Sequence, residues 1–225
     1  MAELHVLRVF CAPDGSGGNP LGVFLDGAEV PNAERQRVAA DLGFAETVFV
    51  DDPAEGRVRI FTPVEELDFA GHPMVGTAWL LAREREPVSR LRPPAGEVPA
   101  RHEGELTFVA GRPEWGPAWE FVEVDSPREV DRRDGPPGGK SLVGVWAWID
   151  EERGVIRERV FAPEIGIVED EATGSAAVRL GVVLRRPLEI HQGVYGSRIS
   201  ARPLDDGMVE IGGRVELDAA REYPA

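Results

Sequence analysis

The sequence is poor in cysteine and has no long apolar run, and each of these absences excludes a class of protein. Cys11 is the single cysteine among 225 residues, which excludes an intramolecular disulfide and a cysteine-based zinc site. The longest strongly apolar run, residues 74–82, is far shorter than the ~20 residues that span a bilayer. The first residues lack the basic and apolar regions of a signal peptide, so we expect a cytoplasmic protein that is not embedded in a membrane.

Positive charge is also scarce. The 25 Lys and Arg residues stand against 40 Asp and Glu residues, which gives a formal net charge of -15. A chain this acidic repels phosphate backbones, and no local basic patch offsets the repulsion, so nucleic acid is not an expected partner. The remaining composition, with 42% hydrophobic residues, 26 Gly and 19 Pro, is typical of a globular protein with many turns.

Apolar patterning predicts many short strands and few helices. A first helix is expected from Asn32, as N-cap, to Gly43, as C-cap. A second is expected from Pro73; because its residues are apolar on all sides, it should be a buried central helix. The predicted strands are residues 4–10, 21–25, 47–50, 58–61, 106–109, 119–124, 143–149, 188–192 and 208–215.

The second half of the chain partly repeats the first. Residues 59–63 are echoed by residues 159–163, and about ten residues later 71–78 are echoed by 169–176, each before an apolar helix. Two matches in the same order predict two similar lobes. The charged, Pro-rich segment 84–96 marks the boundary, which gives an N-terminal lobe of residues 1–98 and a shortened C-terminal lobe of residues 99–225.

The two helix starts are the first candidate for a binding site. Aligning Gly76 with Gly174 pairs Thr77 with Ser175, so small residues recur where each helix is expected to begin. A helix N-terminus offers unpaired N–H groups and partial positive charge, which suits a carboxylate. The alternative is that the glycines only allow each central helix to pack closely against strands.

Glu46 is the second candidate. It lies between the helix that ends near Gly43 and the apolar strand that begins at Thr47, and its neighbours are mostly apolar. A carboxyl group removed from water has a raised pKa and can exchange a proton near neutrality. The alternative is an ordinary surface glutamate at the end of a strand.

His72 and Asp170 occupy matching places in the internal repeat. An imidazole and a carboxylate there could flank a substrate, orient it or relay a proton. The alternatives are a turn residue for His72 and a helix N-cap for Asp170. The other histidines have no metal-ligand spacing with His72, so no metal site is predicted. Cys11 is expected to be a buried structural thiol, and Arg179 either reaches the surface or clamps a carboxylate.

Several short motifs occur in the order seen in the phenazine-biosynthesis PhzF-like family, which this sequence resembles from about residue 6 to residue 215. Each motif is short, but the ordered set is specific. The motifs are Gly18-Asn19-Pro20, Ala45-Glu46-Thr47, Gly71-His72-Pro73, Glu169-Asp170-Glu171-Ala172-Thr173-Gly174-Ser175-Ala176, and the shorter Phe61-Thr62-Pro63, Phe161-Ala162-Pro163 and Gln192-Gly193.

The resemblance implies an α+β fold like that of diaminopimelate epimerase: two pseudo-symmetric lobes, each a curved mixed sheet wrapped round a central apolar helix, with the active site between them. It also implies a homodimeric, cofactor-independent isomerase. Glu46 would shuttle a proton on a small carboxylate-containing metabolite, with His72 and Asp170 positioning the substrate or moving protons. The implied substrate-binding residues are Asn19, Gly71, Gly76, Thr77, Gly174 and Ser175.

The sequence departs from the family pattern in places. Gly17 stands where the family usually has a polar residue, and Glu171 replaces a usual proline, which adds negative charge beside the expected carboxylate site. The segment 127–139 is charged and rich in Gly and Pro where a fuller helix is expected. These departures favour an alternative: a non-catalytic protein that binds small carboxylates on the same fold. The two-cysteine mechanism of related racemases is excluded because Cys11 is alone.

Overall fold

The structure, a computed structural model, describes residues 2–224 and is dominated by β-strands. Four α-helices accompany the strands: α1 (Asn32–Leu42), α2 (Gly71–Glu84), α3 (Pro127–Asp131) and α4 (Gly174–Leu184). The strands are β1 (Ala2–Cys11), β2 (Gly17–Phe24), β3 (Glu46–Asp52), β4 (Arg57–Phe61), β5 (Glu66–Leu67), β6 (Arg90–Leu91), β7 (Val98–Glu103), β8 (Leu106–Gly111), β9 (Glu120–Glu123), β10 (Val143–Asp150), β11 (Val155–Ala162), β12 (Ile167–Asp170), β13 (Leu188–Gln192), β14 (Ser197–Pro203) and β15 (Val209–Tyr223).

The strands form one continuous, strongly curved path. Its order is β5-β4-β3-β2-β1-β15-β14-β13-β11-β10-β9, with β12 beside β11 and the β6-β7-β8 group joined to β15. Most neighbours are antiparallel, but β2–β3, β9–β10 and β11–β13 are parallel. The sheet is therefore mixed, as the α+β prediction requires.

Helix α2 is central and buried, as its apolar sequence predicts. Ten of its residues, from Gly71 to Leu81, are buried. Five of them belong to the largest hydrophobic cluster of the molecule: Met74, Val75, Ala78, Leu80 and Leu81. The expected start at Pro73 is wrong by two residues, since the helix begins at Gly71 and Pro73 occupies its third position. A proline there costs nothing, because the first amides of a helix have no intrahelical partner.

Helices α2 and α4 begin against each other. A Cβ atom on Gly71 would lie 2.8 Å from the Cα of Gly174, and a Cβ on Gly174 would lie equally close to the Cα of Gly71. The two starts therefore correspond through Gly71 and Gly174, which corrects the alignment of Gly76 with Gly174. Gly76 lies in the second turn of α2, where its missing side chain leaves room for Leu21 and Val9.

The last strand joins the two halves of the chain. Residues 209–213 of β15 pair with β8, while residues 214–223 pair with β1. One long strand therefore begins among the later strands and ends beside the first. The division at residue 98 stays a prediction.

Segment 127–139 and the ends of α1 show how local sequence sets the length of the helices. Segment 127–139, which its charged, Gly- and Pro-rich sequence marked as a departure from the fuller helix of the family pattern, contains only the five-residue α3 and a single 3-10 turn. Helix α1 begins at Asn32, with Pro31 rather than Asn32 as N-cap, and ends at Gly43 in the left-handed conformation that favours glycine. In the described part of the chain, residues 2–224, the helices fall short of the length and apolar character that crossing a bilayer requires.

Candidate active site

Glu46 stands at the first position of β3, where the strand meets the start of α2. Its side chain is 16% exposed, and its Oε2 lies 3.3 Å from Nε2 of His72 without hydrogen-bond geometry. Burial raises the pKa of Glu46 to about 8, and the nearby charge of Asp170 acts in the same direction. At neutral pH this carboxyl group can therefore both give and take a proton.

His72 is the second residue of α2 and is almost completely buried. Burial lowers the pKa of His72 to about 3, against a smaller opposing effect of the Pro20 backbone. The imidazole is therefore neutral at physiological pH. Its Nε2 has no hydrogen-bond partner, so a modest shift towards Glu46 would complete a hydrogen bond between the two groups.

Asp170 ends β12 and is held on both oxygens. Oδ1 accepts a hydrogen bond of 2.7 Å from Nδ2 of Asn19, and Oδ2 accepts one of 2.6 Å from Oγ1 of Thr173. Burial raises the pKa of Asp170 to about 6, although these two hydrogen bonds oppose the rise. Asn19 also donates to the backbone of Ala172 at 2.9 Å, so a residue of β2 fixes the loop that follows β12.

Gln192 is part of the site, and the sequence motif containing it predicted no role for it. Its Oε1 accepts from the Thr173 backbone at 3.1 Å, and its Nε2 donates to the Asp170 carbonyl at 3.0 Å and to Thr173 Oγ1 at 2.9 Å. The fully buried amide fixes the backbone that leads into α4. The Gln192-Gly193 motif was the available signal in the sequence. It did not indicate a role because Gln192 binds residues about twenty positions earlier in the chain.

The paired helix starts supply positive potential beside these carboxyl groups. Neither α2 nor α4 has a side-chain N-cap hydrogen bond; the cap residues are Ala70 and Thr173. Because Gly71 and Gly174 lack side chains, the backbones approach closely. Amides and partial charges at two adjoining helix N-termini favour an anion.

The structure brings together six of the predicted site residues, places two others deeper in α2, and engages the hydroxyl of Ser175, the second residue of α4, with Trp119. Thr77 and Gly76 lie deeper in α2; Thr77 is fully buried, and its hydroxyl has no hydrogen-bond partner. Ser175 is half-buried, and its Oγ accepts a 3.0 Å hydrogen bond from Nε1 of Trp119. The residues brought together are Asn19, Glu46, Gly71, His72, Asp170 and Gly174.

Three further residues can now be placed. Cys11 is buried, and burial raises the pKa of its thiol to about 11, in keeping with a structural role. Arg179 is half-exposed on α4. Glu171 is directed towards the turn between β13 and β14, whose backbone amides bind its carboxylate. Its charge is therefore engaged by that turn and does not lie free at the helix starts.

Comparison with known sequences supports the expectation of an isomerase. The family described as phenazine biosynthesis-like protein, PhzC-PhzF, matches residues 8–115 and 138–206. A trans-2,3-dihydro-3-hydroxyanthranilate isomerase of Pseudomonas aeruginosa is 32% identical, over 81% of this chain and 78% of its own length. The enzyme of the same name from Pseudomonas fluorescens is 31% identical, over 81% of this chain and 83% of its own.

Solved structures confirm the fold prediction. A PhzC/PhzF protein from Clostridium difficile superposes with a TM-score of 0.82 at 20% identity, and both chains are covered completely. A protein described as a predicted epimerase from Pseudomonas aeruginosa superposes with a TM-score of 0.77 at 26% identity, again over the whole of both chains. These neighbours agree with the two-lobed, epimerase-like architecture.

Proposed function

The chain belongs to the PhzC-PhzF family and is an isomerase of that kind, and on this premise we propose that it moves a proton between carbon atoms of a small carboxylate-containing metabolite. The observation that carries the proposal is the setting of Glu46. Its carboxyl group has a pKa near 8 and lies 3.3 Å from a neutral imidazole. A general acid and base works best with a pKa close to the operating pH.

Glu46 performs both halves of the reaction. Its ionised form takes a proton from a substrate C–H bond, and the resulting acid, whose proton exchanges with solvent, delivers a proton to another carbon. Proton and electron counts balance, so the step uses no external oxidant, reductant or cofactor. Neutral His72 accepts or donates a hydrogen bond to Glu46 or to the substrate, and Asp170, fixed by Asn19 and Thr173, orients the substrate.

The substrate carboxylate binds at the joined starts of α2 and α4. Each helix end contributes roughly half a positive charge together with its free amides, and the close contact of Gly71 with Gly174 brings the two sets of amides together. The substrate named for the relatives, a dihydro-hydroxyanthranilate, carries a carboxylate, an amine and a hydroxyl group. We take a compound of this class as the substrate and the homodimer as the working assembly.

The decisive experiment follows hydrogen exchange during turnover. Wild-type protein incubated with trans-2,3-dihydro-3-hydroxyanthranilate in D2O should isomerise the substrate and incorporate solvent deuterium. Glu46→Gln should lower the rate by about 10²–10⁴-fold, which is the usual contribution of a positioned acid or base. Glu65→Gln, which changes an exposed glutamate between β4 and β5, is the matched control and should match the wild type.

Unchanged isomerisation in the Glu46→Gln protein would exclude Glu46 as the proton carrier. The aromatic acid 3-hydroxyanthranilate keeps the three polar groups but has no saturated ring carbon to deprotonate. Its binding, measured by calorimetry, tests the carboxylate site separately from the chemistry. Absence of both turnover and binding would reject this substrate class. The non-catalytic alternative was argued mainly from the negative charge of Glu171 beside the carboxylate site. That argument is weaker because backbone amides bind the Glu171 carboxylate.

A further inference from the structure

Glu171, which departs from the family pattern, is the centre of a hydrogen-bond cluster next to the site. Its carboxylate accepts from the backbone N–H of Val194 at 2.8 Å and of Tyr195 at 3.1 Å. It also accepts from Oγ of Ser197 at 2.7 Å. One ionised side chain therefore satisfies two amides of the turn 193–196 and a hydroxyl at the start of β14.

The same turn is held on its carbonyl side by two arginines. Nη2 of Arg157 donates to the Gly193 carbonyl at 2.7 Å, and Nη1 of Arg198 donates to the Gly196 carbonyl at 2.5 Å. Glu171 thus faces a turn in which two carbonyl groups, those of Gly193 and Gly196, accept hydrogen bonds from guanidinium groups. Opposite charges on the two sides of four residues fix the turn more firmly than backbone hydrogen bonds alone.

Gly193 is shaped to receive Glu171. A Cβ atom on Gly193 would lie 2.1 Å from Oε2 of Glu171, and its φ of +71° is one that favours glycine. Only a glycine allows the carboxylate to lie against the turn in this way. The Glu171 carboxylate and Gly193 therefore form a matched pair.

The cluster returns to the site by a second route. Ser197 Oγ, which donates to Glu171, accepts a 2.8 Å hydrogen bond from the amide of Gly18. The next residue, Asn19, binds Asp170 at 2.7 Å, and Asp170 is covalently joined to Glu171. The contacts therefore close a ring that runs through Asp170, Glu171, Ser197, Gly18 and Asn19.

We propose that Glu171 is a positioning residue whose carboxylate closes this ring and so holds Asp170 against Asn19 at the proposed active site. The inference rests on the proposed function, which assigns Asp170 to the active site. The ring joins residues from both halves of the chain, so opening it frees the backbone that precedes α4. A proline at this position could not make any of the carboxylate contacts.

The Glu171 charge also acts on Asp170. The charged groups that face Asp170 are Glu46 and Glu171, while Asn19 and Thr173 donate hydrogen bonds to it. The negative charge of Glu171 contributes to the raised pKa of Asp170. Removing that charge should therefore lower the pH at which Asp170 titrates. If Glu171 acted only through its hydrogen bonds to the turn, the titration of Asp170 would not change in this way.

Two variants separate contact from charge. Glu171→Gln removes the charge and presents an NH2 group to amide donors, whereas Ser197→Ala opens the ring and leaves Glu171 ionised. Glu152→Gln, an exposed glutamate in the same half of the chain, is the control for net charge. The readouts are NMR amide exchange at Val194, Tyr195 and Gly18, the titration of the Asp170 carboxyl carbon, and the affinity for 3-hydroxyanthranilate.

We expect Glu171→Gln to speed exchange at Val194 and Tyr195 by about tenfold or more, to lower the Asp170 midpoint, and to weaken ligand binding. Ser197→Ala should speed exchange at Gly18 and leave the Asp170 midpoint closer to that of the wild type. Wild-type exchange and titration in a folded Glu171→Gln protein would overturn the inference. If that variant does not fold, wild-type exchange at Gly18 in Ser197→Ala would overturn it. Exchange and titration need no turnover, so failure of the isomerase proposal appears separately, in the Glu46→Gln experiment.

Discussion

Burial shifts the pKa values of several ionisable side chains, and four of them are an imidazole or carboxyl groups deep in the fold. The pKa values of Glu46, Asp170 and Glu158 are raised, and that of His72 is lowered. Three of these residues belong to the proposed site. Glu158 does not: it is fully buried on β11, both its oxygens lack a hydrogen-bond partner, and it fills the space left by Gly144.

Glu158 should make the protein less stable as pH rises. Burial raises its pKa to about 8, against an ordinary 4.5 in the unfolded chain. Between these values the folded state keeps a proton that the unfolded state releases, so the free energy of unfolding falls with increasing pH, by at most about 1.4 kcal/mol per unit. Glu158→Gln should make the slope measured by urea unfolding from pH 5 to pH 8 shallower, while the raised pKa of Glu46 keeps its own contribution in both proteins.

Glu152→Gln, at an exposed position, serves as control and should run parallel to the wild type at every pH. A difference between Glu158→Gln and wild type that stays constant with pH would mean that Glu158 ionises normally in the fold.

At the scale of single residues, the sequence was most informative where the environment is local. The apolar neighbours of Glu46 predicted a sheltered carboxyl group because they are adjacent in the chain. The contacts of Gln192 and Glu171 were not predictable, since each depends on a backbone brought from 19 or more positions away. Motif order indicated which residues mattered, but not which atoms they bind.

Among the elements, the two central helices define the site by the closeness of their first residues. Continuous apolar sequence predicted α2 as buried, and the left-handed cap at Gly43 correctly ended α1. The predicted alignment of Gly76 with Gly174 was wrong because glycine occurs both at helix starts, as at Gly71, and where a helix packs against strands, as at Gly76. Strands β11 and β14 were not predicted, since polar residues such as Glu158 and Arg198 interrupt their alternation.

Gly71→Ala should separate the two helix starts. Its Cβ would lie 2.8 Å from Gly174 and 2.7 Å from Cδ1 of Ile211, which is too close for either neighbour to remain in place. We expect a loss of about 1–3 kcal/mol in the free energy of unfolding, together with weaker binding of 3-hydroxyanthranilate by calorimetry. Gly135→Ala, at an open position, should change neither quantity. Wild-type affinity in Gly71→Ala would show that the contact of the two starts is not needed for binding.

At the scale of the whole molecule, β15 completes the sheet of both halves of the chain, so the stability of each half depends on the same strand. Its residues pair with β8 and β14 at one end and with β1 at the other. The internal repeat predicted two lobes, but a strand shared along its length cannot be recognised from local sequence. An apolar strand looks the same whichever partners it has.

The two halves should therefore unfold together. Hydrogen exchange measured by mass spectrometry at increasing urea should show peptides from α2 and α4 losing protection at the same concentration, because neither half keeps its sheet without β15. Loss of protection in one helix well before the other would show that the halves are separate cooperative units.

The pairing of Ala2 with Tyr223 has a consequence for synthesis of the chain. β1 is synthesised before β2 and β15, and it can pair with β2 almost at once. Its other edge has to wait until some two hundred residues later, when the final segment emerges from the exit tunnel. During that interval the nascent chain carries an open strand edge, with which another chain can pair.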